Sequence, residues 1–233
     1  MQNSLTRAAL PQLSGNALKI LAAITMTVDH VGLTLFPQVQ ALRLIGRLAF
    51  PIFAFMVAEG CAHTRNMGRY ILHMLVLALV CQVAYTAATG SWLLCVPVSF
   101  VLSISLIYLL QKAKEAPFWG VAFLAGVGAV WLFDRQATLD YGFWGCMMPV
   151  AASLFRGAKG KLDENTVHVL AMGVFMIPLA LQLGAWQWWS LLALPLLEMY
   201  SGQRGKYKMK YFFYIFYPAH LLIIEGIAIL MTM

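Results

Sequence analysis

Hydrophobic residues gather in nine runs, each closed by charge, glycine or proline, at about 17–36, 42–62, 70–89, 92–111, 117–133, 141–155, 166–183, 185–200 and 211–231. A full membrane span takes roughly 20 apolar residues, with about 17 a practical minimum. The sixth and eighth runs are short by that measure, which predicts tilted, thin or partly re-entrant segments. No run shows the two-residue alternation of a lipid-facing strand, and a helix satisfies its own backbone in hydrocarbon. The pattern therefore predicts an all-α fold: a polytopic integral membrane bundle of about nine transmembrane helices, seven being the neighbouring solution of the same parity.

Composition agrees. Of 233 residues, 61% are hydrophobic and 11% charged, against about 25% charged in a soluble domain. Nearly all of the chain is span or short connection, leaving no room for a separate soluble domain. The net charge of +7 would suggest nucleic acid in a soluble protein; here its distribution reads as topology, so a lipid bilayer rather than nucleic acid is the expected partner. Arg7, Lys19, Arg65, Arg69, Lys112, Lys114, Arg156, Lys159, Lys161, Arg204, Lys206, Lys208 and Lys210 fall on alternate connections. The positive-inside rule then puts the N-terminus in the cytoplasm and the C-terminus outside. No small-residue cleavage site follows the first run, so it is expected to remain as an anchor.

Against this background, charges inside the runs stand out. Each costs roughly 2.5–3.5 kcal/mol on insertion scales, so it should face a partner or a polar cavity. The first run carries Asp29 and His30, and the second carries Arg43, Arg47 and Glu59. A histidine is a natural general base near neutral pH, and a carboxylate can orient it. Adjacent helical residues point about 100° apart, however, which makes direct Asp29–His30 pairing awkward and offers Arg47 as an alternative partner. A buried polar clamp without chemistry is the bland alternative. Arg43 lies close enough to the outer surface to snorkel. Glu59 is about 18 Å from Arg47 along one helix and one turn from His63, which suggests a Glu59–His63 contact.

Depth adds one more candidate. His30 lies about 16 Å beyond Lys19, and His220 about 15 Å beyond Lys210, at 1.5 Å per helical residue. Both helices start on the cytoplasmic side, so the two histidines are expected at similar height. Tyr211, Tyr214, Tyr217 and His220 recur every third residue; Tyr211 fits an interfacial belt, while Tyr217 and His220, astride Pro218, read as cavity lining. The stretch from His63 to Tyr70, with Arg65 and Arg69, suits phosphate contact, although topology alone would place arginines there. The Lys206/Lys208/Lys210 cluster has the same two readings, with anionic lipid as a further partner. Cys61, Cys81, Cys95 and Cys146 are scattered singly, as packing residues are, and neither a disulfide framework nor a metal site is expected. His73 and His168 stand alone near cytoplasmic ends and are assigned no chemistry. The HExxH, GxSxG and GxGD signatures of membrane hydrolases are missing.

The ordered set Asp29-His30, Arg43-Leu-Ile-Gly-Arg-Leu-Ala-Phe-Pro-Ile-Phe-Ala-Phe, Glu59-Gly60, His63-Thr64, Arg69-Tyr70, Asp140-Tyr-Gly and Phe213-Tyr-Ile-Phe-Tyr-Pro-Ala-His220 resembles the TraX family. That family is named for the conjugation protein that N-acetylates F-type pilin and is similar to the wider transmembrane acyltransferases. The resemblance covers most of the chain, as one domain over 1–233. It implies an acyl-CoA donor, usually acetyl-CoA, entering from the cytoplasm, and a location in the bacterial inner (cytoplasmic) membrane. By analogy His30, assisted by Asp29, serves as base; Arg47 or Tyr217 stabilises the oxyanion; and His220 is a competing base. Donor contacts are expected from Arg43, Glu59, His63, Arg65, Arg69 and Lys210, while His73 stands where the family has a basic residue. No metal is implied. The acceptor, protein or small molecule, would be an amine or hydroxyl, a pilin N-terminus among the candidates; direct transfer and an acyl-histidine intermediate both fit. Two readings from other classes compete: a proton-coupled transporter using Asp29, His30, Glu59 and His220 as a relay, and a noncatalytic assembly factor.

Overall fold

The computed structural model describes residues 11–155, 162–207 and 209–232. Arg7, Arg156, Lys159, Lys161 and Lys208 lie outside the described residues, as do the side chains of Lys210 and Tyr211. The described residues form helices α1 (Gly15–Thr34), α2 (Gln40–Gly46), α3 (Ala49–His63), α4 (Met67–Thr89), α5 (Val96–Ala113), α6 (Pro117–Gln136), α7 (Gly142–Leu154) and α8 (Glu164–Leu183). A 3₁₀ helix (Ala185–Leu192), α9 (Ala193–Glu198) and α10 (Lys210–Thr232) complete the chain. The expected all-helical membrane fold is what the chain adopts.

Local chemistry sets the boundaries. Ser14 Oγ accepts from Ala17 N at 3.2 Å, and Asn66 Oδ1 accepts from Arg69 N at 2.9 Å, satisfying donors that a helix start leaves free. Gly184, at φ +91°, turns the chain back after α8, a backbone conformation L side chains resist. The second apolar run is interrupted at Arg47–Leu48. Pro51 explains the break: it has no N–H for the carbonyl of Arg47, and its ring crowds that same carbonyl. The backbone tightens there into i+3 bonds, Arg47 N to Leu44 O and Leu48 N to Ile45 O, both 3.2 Å.

Two sets of loop contacts define the ends of the bundle. Leu13 N donates to Met199 O at 2.8 Å and Ser201 N to Leu13 O at 2.9 Å, joining the start of α1 to the end of α9. At the opposite end, Leu94 N donates to Thr138 O at 3.0 Å and Asp140 N to Leu94 O at 3.1 Å. The first is the end where the basic connections gather, hereafter the basic end.

Among the described residues, seven segments are long and apolar enough to cross a bilayer: α1, the α2–α3 pair over Gln40–His63, α4, α5, α6, α8 and the Phe212–Met231 part of α10. The two runs that looked short are the two that fall outside this set. Helix α7 has 13 residues, about 20 Å, and is buried from Gly145 to Ala152, so protein rather than lipid surrounds most of it. The eighth run is no regular α-helical span. Its 8 residues of 3₁₀ helix and 6 of α-helix nevertheless cover about 25 Å, because a 3₁₀ helix rises roughly 2.0 Å per residue. The core between these elements holds Phe55, Ile52, Ile104, Met148, Met172 and Leu179, all fully buried. By contrast α6 lies on the outside, with Val130 its one buried residue.

Candidate functional site

The polar residues inside the spans form two groups. In the first, Asp29 of α1 faces α2: Arg43 Nη1 donates to Oδ2 at 2.5 Å and Arg47 Nη2 to Oδ1 at 3.1 Å. Arg47 Nη1 also reaches Gln187 Oε1 of the 3₁₀ helix at 3.4 Å. The approach of α2 to α1 depends on Gly46, where an added Cβ would collide with the Asp29 carboxylate, and on Gly32, where it would lie 2.6 Å from Leu42 Cβ. Next to this cluster, in the connection leading into α7, Tyr141 stacks on Phe50 with ring centroids 3.8 Å apart. Burial pushes the Tyr141 phenol up and the nearby Arg47 guanidinium opposes it.

The second group is the histidine pair. His30 of α1 and His220 of α10 meet with ring centroids 5.0 Å apart, and His220 Nε2 lies 3.3 Å from His30 Nδ1. Counting helical rise from Lys19 and Lys210 predicted that these residues lie level, and they do. Each ring is also held by its own helix: His30 Nδ1 lies 2.8 Å from Met26 O, and His220 Nδ1 lies 3.0 Å from Phe216 O. A carbonyl oxygen accepts only, so both Nδ1 atoms carry the hydrogen; the tautomers are assigned from these contacts. His220 Nε2 is then the acceptor facing His30 Nδ1–H. His30 Nε2 is left with a lone pair and has no hydrogen-bond partner among the described residues.

Below the pair lies a cavity of ≈ 710 Å³ whose lining runs from the basic end to the residues holding the histidines. Met26, Phe216 and Tyr217 belong to that lining. Phe216 stacks on His220 at 5.2 Å and Tyr217 meets it edge-on at 5.5 Å. At the other end the lining carries Lys19, Arg65, Arg69 and Arg204, none of which has an ion pair with a carboxylate among the described residues. Glu59 is the acidic residue of the lining; its carboxylate lies 3.8 Å from His63 Nδ1, which also contacts Glu59 O at 2.9 Å. His73 lines the cavity too.

The structure thus brings His30 and His220 together behind the inner end of the cavity, where Tyr217 but neither histidine is a lining residue, and gathers Glu59, His63, Arg65 and Arg69 at the mouth. Asp29, Arg43 and Arg47 make no hydrogen bond or ion pair with a side chain of either group. Asp29 does not orient the His30 ring, because its carboxylate is turned to two guanidiniums on α2. Arg43 lies off the cavity wall, drawn to Asp29 instead of a donor, and Arg47 is likewise spent on Asp29 and Gln187. Gln187 was missed in the sequence, although an amide inside a Trp-rich apolar run is the kind of signal that marked Asp29. Lys19 and Arg204 were read only as topology.

These features define a polytopic helical membrane protein with a cavity that reaches its basic end and a paired-imidazole site behind the cavity's inner wall. The chain belongs to the TraX family: the family model described as TraX protein matches residues 14–228. Among curated proteins it is 24% identical over 242 residues to the probable fimbrial assembly protein FimC, serogroup H1, of Dichelobacter nodosus, covering 88% of this chain and 91% of that one. It is 29% identical over 126 residues to the uncharacterized protein RP591 of Rickettsia prowazekii (strain Madrid E), covering 54% of this chain and 49% of the relative. No solved structure matches.

Proposed function

We propose that this chain is an acyltransferase of the inner membrane that moves an acetyl group from cytoplasmic acetyl-CoA to an amine or hydroxyl acceptor. The observation that carries the reading is one cavity whose mouth holds cations without an ion pair among the described residues, and whose inner wall includes Met26 and Phe216, the residues whose carbonyls hold the imidazole pair. The cations suit a phosphate-bearing donor, and the imidazoles suit proton transfer at the acyl group.

In this mechanism His30 Nε2 removes the proton from the acceptor as its nitrogen or oxygen bonds to the thioester carbonyl carbon. The Tyr217 hydroxyl, which has no partner among the described residues, donates to the oxygen that becomes negative. When the carbon–sulfur bond breaks, the His30 imidazolium returns its proton to the leaving thiolate. His220 accepts from His30 Nδ1–H throughout, so it holds the ring and steadies its charge. The name of the Dichelobacter relative, a probable fimbrial assembly protein, supports a fimbrial protein as acceptor.

Incubating the purified protein with radiolabelled acetyl-CoA and a pilin N-terminal peptide tests this reading. Labelled peptide is expected from wild type and none above background from His30→Ala. Absence of donor binding and turnover in wild type, or full turnover by His30→Ala, refutes it. The competing relay reading predicts pH-driven flux in liposomes without acetyl-CoA, and both carboxylate oxygens of Asp29 being occupied by guanidinium donors weighs against it.

A further inference from the structure

Phe216 belongs to two cavities. It lines the large one beside Tyr217, and it also lines a crevice of ≈ 280 Å³ between α1 and α10, bounded by α1 residues from Ile20 to Val28 and by Phe212. Among the described residues Phe216 is common to both linings. The rings of Phe212, Phe216 and His220, one turn apart on α10, form a continuous stack with centroids 5.4 and 5.2 Å apart. Thr27 is the polar side chain of the crevice, and its hydroxyl already donates to Ala23 O at 2.9 Å. Ile20, Ile24 and Phe212 are exposed, so the crevice opens toward lipid. A hydrocarbon fits such a lining, whereas a polar ligand would lose its hydrogen bonds there.

In the proposed transfer the acyl carbonyl lies within reach of His30 Nε2 and the Tyr217 hydroxyl. The acyl tail leaves that carbonyl beside the residue preceding Tyr217, whose ring is already fixed against His220. An acetyl group ends there with one methyl. A longer chain needs the space that Phe216 fills, and beyond it the crevice continues along α1 from Ile20 to Val28, about 12 Å at 1.5 Å per residue. That is the length of roughly nine carbon–carbon bonds at about 1.3 Å of advance each.

We propose that Phe216 is the chain-length stop of this site: it confines the donor to a short acyl group, and the α1–α10 crevice is the hydrocarbon subsite that opens behind it when its ring is removed. This rests on the acyltransferase reading and deepens it, naming the residue that sets the acyl class. The Phe216 carbonyl, which holds His220 Nδ1 at 3.0 Å, belongs to the main chain and survives substitution of the ring, so acyl selection is separable from the support of His220.

Equilibrium binding of acetyl-, butyryl- and octanoyl-CoA to the full chain in nanodiscs, corrected against empty nanodiscs, tests it. Wild type should prefer acetyl-CoA to octanoyl-CoA by about tenfold or more, because the longer chain must displace a packed ring. Phe216→Leu and then Phe216→Ala should lengthen the preferred chain in steps, with Phe216→Ala shifting the octanoyl-to-acetyl affinity ratio by roughly 10²-fold or more. A ratio taken within one variant is insensitive to a general loss of folded protein. Ala23→Leu, which adds bulk to the crevice alone, should leave the wild-type ratio unchanged and, combined with Phe216→Ala, cancel most of the gain. Wild type binding octanoyl-CoA as tightly as acetyl-CoA overturns the proposal. So does a ratio that stays within about twofold of wild type in both Phe216 variants, or a gain that Ala23→Leu does not reduce; each of these leaves the acyltransferase reading standing. Failure of wild type to bind any of the three donors refutes both.

Discussion

Removing the Asp29 carboxylate tests whether the intramembrane arginines are structural. The Asp29 side chain is 14% exposed and the Arg47 side chain 15%, with Arg43 at 29%. Asp29→Ala strands two guanidiniums that have no other carboxylate within ion-pair distance among the described residues. Breaking a buried pair by deleting one partner costs about 3–5 kcal/mol, chiefly through the charge left uncompensated. At about 2–4 °C per kcal/mol for a chain of this size, the melting temperature should fall by roughly 6–20 °C. The four buried free cysteines, Cys61, Cys81, Cys95 and Cys146, provide the assay, because a thiol-reactive dye labels them only as the bundle opens. If stranded charge is the cause, removing it should help: Asp29→Ala combined with Arg47→Gln should recover part of the loss. A fall of under about 2 °C in the single variant, or a double variant less stable than the single one, refutes the argument.

The remaining predictions concern the approach of α2 and the cavity hydroxyl. Gly46→Ala drives a methyl group into the Asp29 carboxylate and should destabilise by about 1–3 kcal/mol or more. In an Asp29→Gly background, which removes the residue-29 Cβ that the added methyl also meets, it should cost much less, so a thermal-melt double-mutant cycle that comes out additive contradicts the close approach. Tyr217→Phe keeps the ring that meets His220 and removes the hydroxyl. Steady-state kinetics should show kcat reduced by roughly 10²–10³-fold with the Kd for acetyl-CoA unchanged; a change in Kd alone would make Tyr217 a binding residue.

Much of this site was legible in one dimension because a helix is a ruler. Eleven residues from Lys19 and ten from Lys210 were enough to set His30 and His220 level, and the contact between their rings bears out the count. The periodicity of apolar runs likewise marked the sixth and eighth as irregular, and these became the short α7 and the 3₁₀ segment. What could not be read was azimuth and partner choice. Nothing in the order of residues says that the 3₁₀ helix turns Gln187 toward Arg47, nor that a loop two hundred residues from the start of the chain carries Arg204 to Lys19. Arg43 shows the same limit: depth put it near the outer surface, free to snorkel, and did not reveal that Asp29, approached across Gly32 and Gly46, is its partner.

The two adjacent residues that first attract notice in the sequence therefore serve different neighbours. Successive positions on α1 point about 100° apart, so a single turn can address two helices. Asp29 fixes α2 through its arginines, and His30 meets α10 through His220. This division lets the clamp stabilise the histidine without touching it: with α2 held against α1 by Asp29, the helix that carries His30 is anchored at the next residue, while the imidazole stays free of any carboxylate. A carboxylate hydrogen-bonded to Nδ1 would favour the imidazolium and hold the proton that, in the proposed transfer, passes to the leaving thiolate. A neutral acceptor such as His220 Nε2, with Met26 O sharing the same hydrogen, fixes the tautomer without that bias. The geometry is thus better suited to passing a proton back and forth at His30 Nε2 than to storing one, as the proposed transfer between an acceptor and a thiolate would require.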